Sequence, residues 1–163
     1  MKTKSLAVSA IIAALYIAVS MLIAPFGFTN VQFRISEMFN HLVVFNKKYM
    51  IGIVIGVFIT NLFFSPYGMY DLVFGVGQSI LALGITIFSA RFIKGQLARM
   101  IFNTVVFTFT MFLIAIELHL AIELPFLFTW LTVAAGEFVV MAVGIPVMTA
   151  LNKRIHFSKL IED

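Results

Sequence analysis

Apolar residues run along this chain in long blocks, broken at a few places by clustered charge or by proline and glycine. The hydrocarbon core of a bilayer is ~30 Å thick, so a helix needs about 20 apolar residues to cross it. Leu6 to Ala24 is one such block. Further blocks run from Ser36 to Phe45, Tyr49 to Phe64, Tyr70 to Ala90, Met100 to Ile116 and Phe126 to Leu151. The pattern predicts six transmembrane helices. The first block follows Lys2 and Lys4, as a signal peptide would, but it is long and has no clean cleavage motif. No linker, low-complexity tract or strong repeat interrupts the blocks, so residues 1–163 read as one domain.

Composition narrows the class. Of 163 residues, 62% are hydrophobic and 11% are charged. Soluble domains run at roughly 45–50% apolar and about 25% charged. A chain of this size cannot hide so much apolar surface from water. The expectation is an all-α membrane protein rather than a soluble enzyme, a nucleic-acid binder or a disordered chain. With no cysteine there is no disulfide and no thiolate metal site.

Charge then sets the orientation. The net charge is +4. Lys2 and Lys4 precede helix 1, and Lys47 and Lys48 lie between helices 2 and 3. Arg91, Lys94 and Arg99 lie between helices 4 and 5, and Lys153, Arg154 and Lys159 follow helix 6. In a six-helix topology all of these fall on one side, and Arg34 alone falls on the other. Lysine and arginine collect in cytoplasmic loops, which places both termini in the cytoplasm.

The second helix is short. Ser36 to Phe45 reaches about 15 Å at 1.5 Å per residue, half the hydrocarbon thickness. With Lys47 and Lys48 at the cytoplasmic face, it must begin near mid-membrane, and Pro25–Ile35 must dip inward. Irregular backbone survives at that depth only where protein buries it or it lines a wet cavity. This predicts a pocket under the outer surface. The plainer alternative is a tilted helix from Val31 with no pocket.

Polar residues converge on the same side. Arg34 and Glu37 flank the start of helix 2, as ligand contacts or as a local pair. Asp71, Phe74, Gly75 and Gln78 share one face of helix 4 by spacing; otherwise Asp71 caps the helix and Gln78 packs. Glu137 lies near the bilayer centre in helix 6, where carboxylates are costly and usually functional. Trp130 precedes it by seven residues on the same face, with Ala134 between. A ring and a buried carboxylate on one face suit a flat ligand that donates hydrogen bonds, such as a guanine-like edge. Otherwise Trp130 belongs to an interfacial belt and Glu137 pairs within the bundle. Asn61, near the outer end of helix 3, is a further candidate, against a role in interhelical hydrogen bonding.

Glu117, His119 and Glu123 match no metal-ligand spacing and read as a solvated outer loop, and His41 and His156 add no metal or nucleophile constellation. Ala10, Ala14 and Ala18 form a small-residue stripe on helix 1, which lets another helix approach closely. It serves internal packing or a partner subunit. There is no phosphate loop, no HExxH and no serine elbow, so the chain should neither hydrolyse ATP nor act as an enzyme.

The stretch Val31-Gln32-Phe33-Arg34-Ile35-Ser36-Glu37 resembles the signature of the queuosine-precursor transporter family, QueT. Three further pieces resemble it in order: Asn61-Leu62-Phe63-Phe64-Ser65-Pro66, then Gly68-Met69-Tyr70-Asp71-Leu72-Val73-Phe74-Gly75, then Gly136-Glu137. The first piece is fairly specific and the others are individually weak; Gln78 has no clear place in the family pattern. The resemblance implies an S component of an energy-coupling-factor transporter in a bacterial cell membrane. Such a protein has a six-helix fold and binds a micronutrient from outside. It has no cofactor of its own. It works with a transmembrane T subunit and two ATPases that hydrolyse ATP, and the stripe at Ala10, Ala14 and Ala18 would meet the T subunit. The implied ligand is queuine or a 7-deazaguanine precursor of queuosine, and an aminomethyl precursor would add a cation to suit the surplus of acids. Other readings stay open: an S component for another vitamin, a stand-alone carrier with Glu137 as its proton site, or a structural subunit without a ligand.

Overall fold

The computed structural model describes residues 3–27 and 32–162. Residues 28–31, in the middle of the segment expected to dip inward, and Lys2 lie outside the described residues.

Among the described residues every regular element is helical. Helix α1 spans Thr3–Leu22 and is followed by a single turn, α2, at Ala24–Gly27. A 3₁₀ segment, Ile35–His41, runs straight into α3, Leu42–Phe45. Helix α4 is Tyr49–Phe64. A π turn, Asp71–Gly75, opens α5, Val76–Ser89. Helices α6, Gln96–Thr110, and α7, Phe112–Ile122, are separated by one residue, Met111. Helix α8 covers Phe126–Ile155, and α9 is Phe157–Leu160.

Four helical stretches are long and apolar enough to cross a bilayer: Thr3–Leu22, Asp71–Ser89, Gln96–Ile122 and Phe126–Ile155. Ile35–Phe45 and Tyr49–Phe64 are apolar but shorter. The expected short second helix is present, and more than half of it is 3₁₀. The fifth stretch differs from expectation. It continues six residues past Ile116, because Ala115 and Leu118 are fully packed inside while Leu120 and Ile122 face outward as lipid-facing residues would. Glu117 therefore lies inside a helix, fully buried, and not in a solvated loop. Glu123 ends α7 in the left-handed region at φ 58°. His119, near that end, lies against the Leu124 carbonyl at 2.7 Å.

The bundle is inside-out relative to a soluble protein. Leu22, Phe63, Phe92 and Leu131 are each at least 70% exposed, apolar surface that water covers poorly and that suits a lipid or protein neighbour. The interior closes through glycines. A Cβ on Gly52 would lie 2.5 Å from the Ser9 carbonyl oxygen, and one on Gly56 would strike the Tyr16 side chain. Helices α1 and α4 can meet only because both are glycine. Gly144 does the same for α8, where a Cβ would come 2.9 Å from that of Met38. That close approach seats the 3₁₀ segment in the bundle. The chain ends meet as well: Lys4 Nζ donates to the carbonyl oxygens of Glu162 at 2.6 Å and Lys159 at 3.3 Å.

Candidate functional site

The apolar interior falls into a large cluster, including Tyr16, Tyr49, Ile53, Phe107 and Met141, and a small one of Met111, Ile114, Leu118 and Val133. Along α8, Glu137 lies between Val133 of the small cluster and Met141 of the large one. At this level the 3₁₀ segment, α4, the π turn, α7 and α8 bring their polar side chains inward.

Glu37 is fixed from two sides. The Tyr16 hydroxyl donates to Oε1 at 2.6 Å, and the Asn40 amide donates to Oε2. Ser36 is held by the Ser20 hydroxyl at 2.7 Å. Arg34 sits just before this segment, its backbone N–H on the Gln32 carbonyl at 2.9 Å. Its guanidinium pairs with Asp71 Oδ1 at 3.3 Å, with the aspartate fully buried. Ser65 donates to the other carboxylate oxygen of Asp71. Asn61 donates to the Asp71 backbone carbonyl at 3.0 Å. That bond needs the glycine at 75, since a Cβ there would lie 2.5 Å from the Asn61 amide nitrogen. Tyr67, in the loop above, has its phenol pushed above the usual value by partial burial and by Asp71 and Glu117, so it stays neutral.

The site also holds groups with nothing to bond. Glu117, which faces Asp71 and Arg34, is fully buried, and its carboxyl meets no hydrogen-bond donor group, only the carboxyl of Asp71. Glu137 Oε1, Asn40 Oδ1, Thr60 Oγ1 and both amide atoms of Gln32 are buried without a partner. Buried polar atoms in native proteins are overwhelmingly satisfied, and most of those without a partner among the described residues lie in this region. A small cavity of about 10 Å³ lies beside it, walled by Tyr16, Phe33, Arg34, Ser36, Thr60 and Asn61 among others. That is room for about one water molecule, far below the roughly 300 Å³ at which ligand pockets begin.

Of the residues singled out from sequence, Arg34, Glu37, Asn61, Asp71 and Glu137 come together here. Phe74 does not join them as expected. A π turn carries more residues per turn than an α-helix, so the buried positions become Asp71, Gly75, Gln78 and Ser79, and Phe74 is left half-buried. Asp71 is paired rather than capping. Gln78 is buried but engaged with α6 and α7: its amide donates to Thr110 Oγ1 at 3.0 Å and lies 3.9 Å from the Met111 sulfur. Trp130 is turned away. Its indole N–H donates to the Phe109 carbonyl at 3.2 Å, and its ring packs 5.6–6.1 Å from those of Phe109, Phe112 and Phe126. Its neighbours are the aromatics of α6, α7 and α8, so the expected stacking platform beside Glu137 is not formed.

Tyr16, Gln32, Asn40, Ser65 and Glu117 belong to the site and were missed. Two had a signal. Asn40 is three residues after Glu37, which is one turn of a 3₁₀ helix. Tyr16 continues the line Ser5–Ser9–Ile12 along the buried side of α1. Ala10, Ala14 and Ala18 are exposed, while the contact with α4 is made by Ser9 and Tyr16.

A family model described as QueT transporter matches residues 6–153. The queuosine precursor transporter QueT of Lactococcus lactis subsp. cremoris (strain MG1363) is 37% identical, over 97% of this chain and 98% of the relative. No solved structure matches.

Proposed function

The chain belongs to the QueT transporter family, and on that premise we propose that it is the substrate-binding membrane subunit of an energy-coupling-factor importer for a 7-deazaguanine precursor of queuosine. The family is one of transporters and not of enzymes. The observation that carries the reading is the set of buried, unpartnered carboxyl and amide groups at mid-bundle, above all Glu137. A deazaguanine presents N–H donors along one edge and a carbonyl acceptor beside them. Carboxylates accept from the donors, and the Gln32 or Asn61 amide offers the return donor. Each such bond to a charged group contributes about 1.5–3 kcal/mol.

In this reading the six apolar helical segments all lie in the bacterial cell membrane as an S-component-like bundle. Both termini face the cytoplasm, in keeping with the cation bias and with the meeting of Lys4 and the C-terminal carbonyls. The ligand enters from outside beneath the segment before Ile35. Energy comes from elsewhere, since the sequence carries no phosphate loop. A T subunit would dock on the exposed stripe of Ala10, Ala14 and Ala18, and two ATPases would hydrolyse ATP.

Calorimetric titration of the purified protein with aminomethyl- and cyano-deazaguanine tests the ligand, with guanine and thiamine as controls and Glu137→Ala in parallel. Tight binding of a deazaguanine that the variant loses is the expected result. A folded sample that binds neither compound would sink the substrate assignment and return the search to other vitamins. One observation favours a second reading: Glu137, buried with a bare oxygen, suits the proton site of a stand-alone carrier. Uptake that persists in cells without the ATPase module, and collapses with an uncoupler, would select it.

A further inference from the structure

The end of the bundle where the two chain ends meet is hollow. An open cavity of about 330 Å³ lies between α3, the loop from α5 to α6, and the last turns of the chain, walled by Phe45, Ile93, Lys94, Gly95, Arg99 and Ser158 among others. A second, of about 200 Å³, shares Phe45 and Arg99 with it and adds Asn46 and Lys47. The larger falls within the range of small-molecule sites, roughly 300–1,000 Å³.

The charge of the lining has one sign. Lys94 and Lys47 are exposed at the rims, and Arg99 stands between the two hollows. Arg99 Nη1 donates to the Val44 carbonyl at 2.8 Å, which ties the side chain to the end of α3, while its Nε is buried with no acceptor. Among the described residues no carboxylate lines either hollow. Helix α6 starts at the same place. Gly95, at φ 93°, precedes it and supplies no side-chain cap, so the N–H groups of the first turn add positive potential to this space.

The remaining wall is apolar. Val44, Phe45 and Ile93 form it, and Phe92 and Leu97, on either side of Lys94 in the chain, are exposed. The Arg91 guanidinium lies 5.1 Å over the Phe88 ring, a cation and an aromatic placed as at a membrane–water boundary. Cations alone would serve a soluble anion. Cations beside exposed apolar surface suit an anion that carries its own hydrocarbon.

We propose that the larger hollow seats the phosphate of an anionic phospholipid, held by Lys94, Arg99 and the first turn of α6, with the acyl chains leaving past Phe92 and Leu97. The site is separate from the acids around Arg34 and does not depend on which compound the bundle carries. Since Arg99 also grips the end of α3, the bound headgroup braces the helix that continues from the 3₁₀ segment.

Native mass spectrometry of the whole chain in a neutral detergent tests this by counting bound lipids. Dioleoylphosphatidylglycerol and dioleoylphosphatidylcholine are titrated separately, with inorganic phosphate and glycerol 3-phosphate as competitors. One phosphatidylglycerol should bind at least tenfold more tightly than phosphatidylcholine. Lys94→Gln, at an exposed position where folding is safe, should weaken it about fivefold, and Lys94→Gln with Arg99→Gln about twentyfold. Lys153→Gln with Arg154→Gln, which removes two cations of the same end from outside the hollow, should change it less than about twofold. Equal affinity for the two lipids overturns the proposal. So does an equal loss in the Lys153 and Arg154 variant, which reduces the effect to the general attraction of a basic surface. Displacement of the lipid by an equal concentration of either competitor would make this a site for a soluble anion and overturn the lipid assignment.

Discussion

Two polar regions lie buried in this bundle, and they are finished differently. One joins the second helix to α5, α6 and α8. His41 Nε2 is 2.8 Å from the Met141 carbonyl, and its Nδ1 is 3.3 Å from the Asn103 amide. Asn103 Oδ1 accepts from Thr86 at 2.7 Å. A neutral imidazole donating through Nε2 and accepting at Nδ1 satisfies every one of these contacts. The other region surrounds Arg34, where Glu137, Gln32, Asn40 and Thr60 all keep bare polar atoms. Burial is alike in the two, though only the second holds carboxyl groups. The difference is closure: the polar groups of the first region satisfy one another, and several of the second do not.

The contrast can be broken in order of expected effect. Asn103→Leu strips partners from both His41 and Thr86 and should cost about 3 kcal/mol of stability. Thermal unfolding in detergent measures it, and ligand affinity of the folded variant should stay unchanged. Glu137→Leu should act in the opposite sense. It should weaken deazaguanine binding by about 2 kcal/mol while leaving the ligand-free protein as stable as before or more so, because a bare buried carboxyl is removed. Calorimetry and unfolding on the same sample check both halves. A large loss of ligand-free stability would make Glu137 part of the scaffold. Gly75→Ala pushes a methyl into the Asn61 amide and should cost about 1–2 kcal/mol of binding through the displaced Asp71. Ala14→Trp should change binding by less than about 0.5 kcal/mol, as a surface substitution does. Co-purification of the T subunit should be lost, and intact transport by this variant would remove the stripe from the interface.

Much of the bundle was legible in the sequence because lipid enforces it. The length of each apolar block and the charges at its ends predicted six transmembrane helices with a short second one; four helical stretches are long and apolar enough to span, and the second and third blocks form shorter apolar helices. Facing was harder to read. In water one face of a helix is polar, but here both faces of α7 are apolar, so Glu117 looked like the start of a loop when it is an inward side chain. The same difficulty misplaced Trp130. Spacing put it in line with Glu137, but its ring found aromatic neighbours on α6 and α7. Glu137 was legible because a carboxylate in mid-helix has few places to go. Gln32 and Tyr16 were not, because only the seating of the 3₁₀ segment brings them near the acids.

The π turn at Asp71–Gly75 has one more consequence. It works as a frame shift in three dimensions, setting everything before it about one residue out of phase with everything after. Deleting a single residue within Asp71–Gly75 would leave the hydropathy profile almost untouched and would still make a good transmembrane helix. It would also swing the Asp71 end by about 100° against Gln78, out of line with Arg34. When relatives are aligned through this segment, a one-residue gap would therefore outweigh many substitutions.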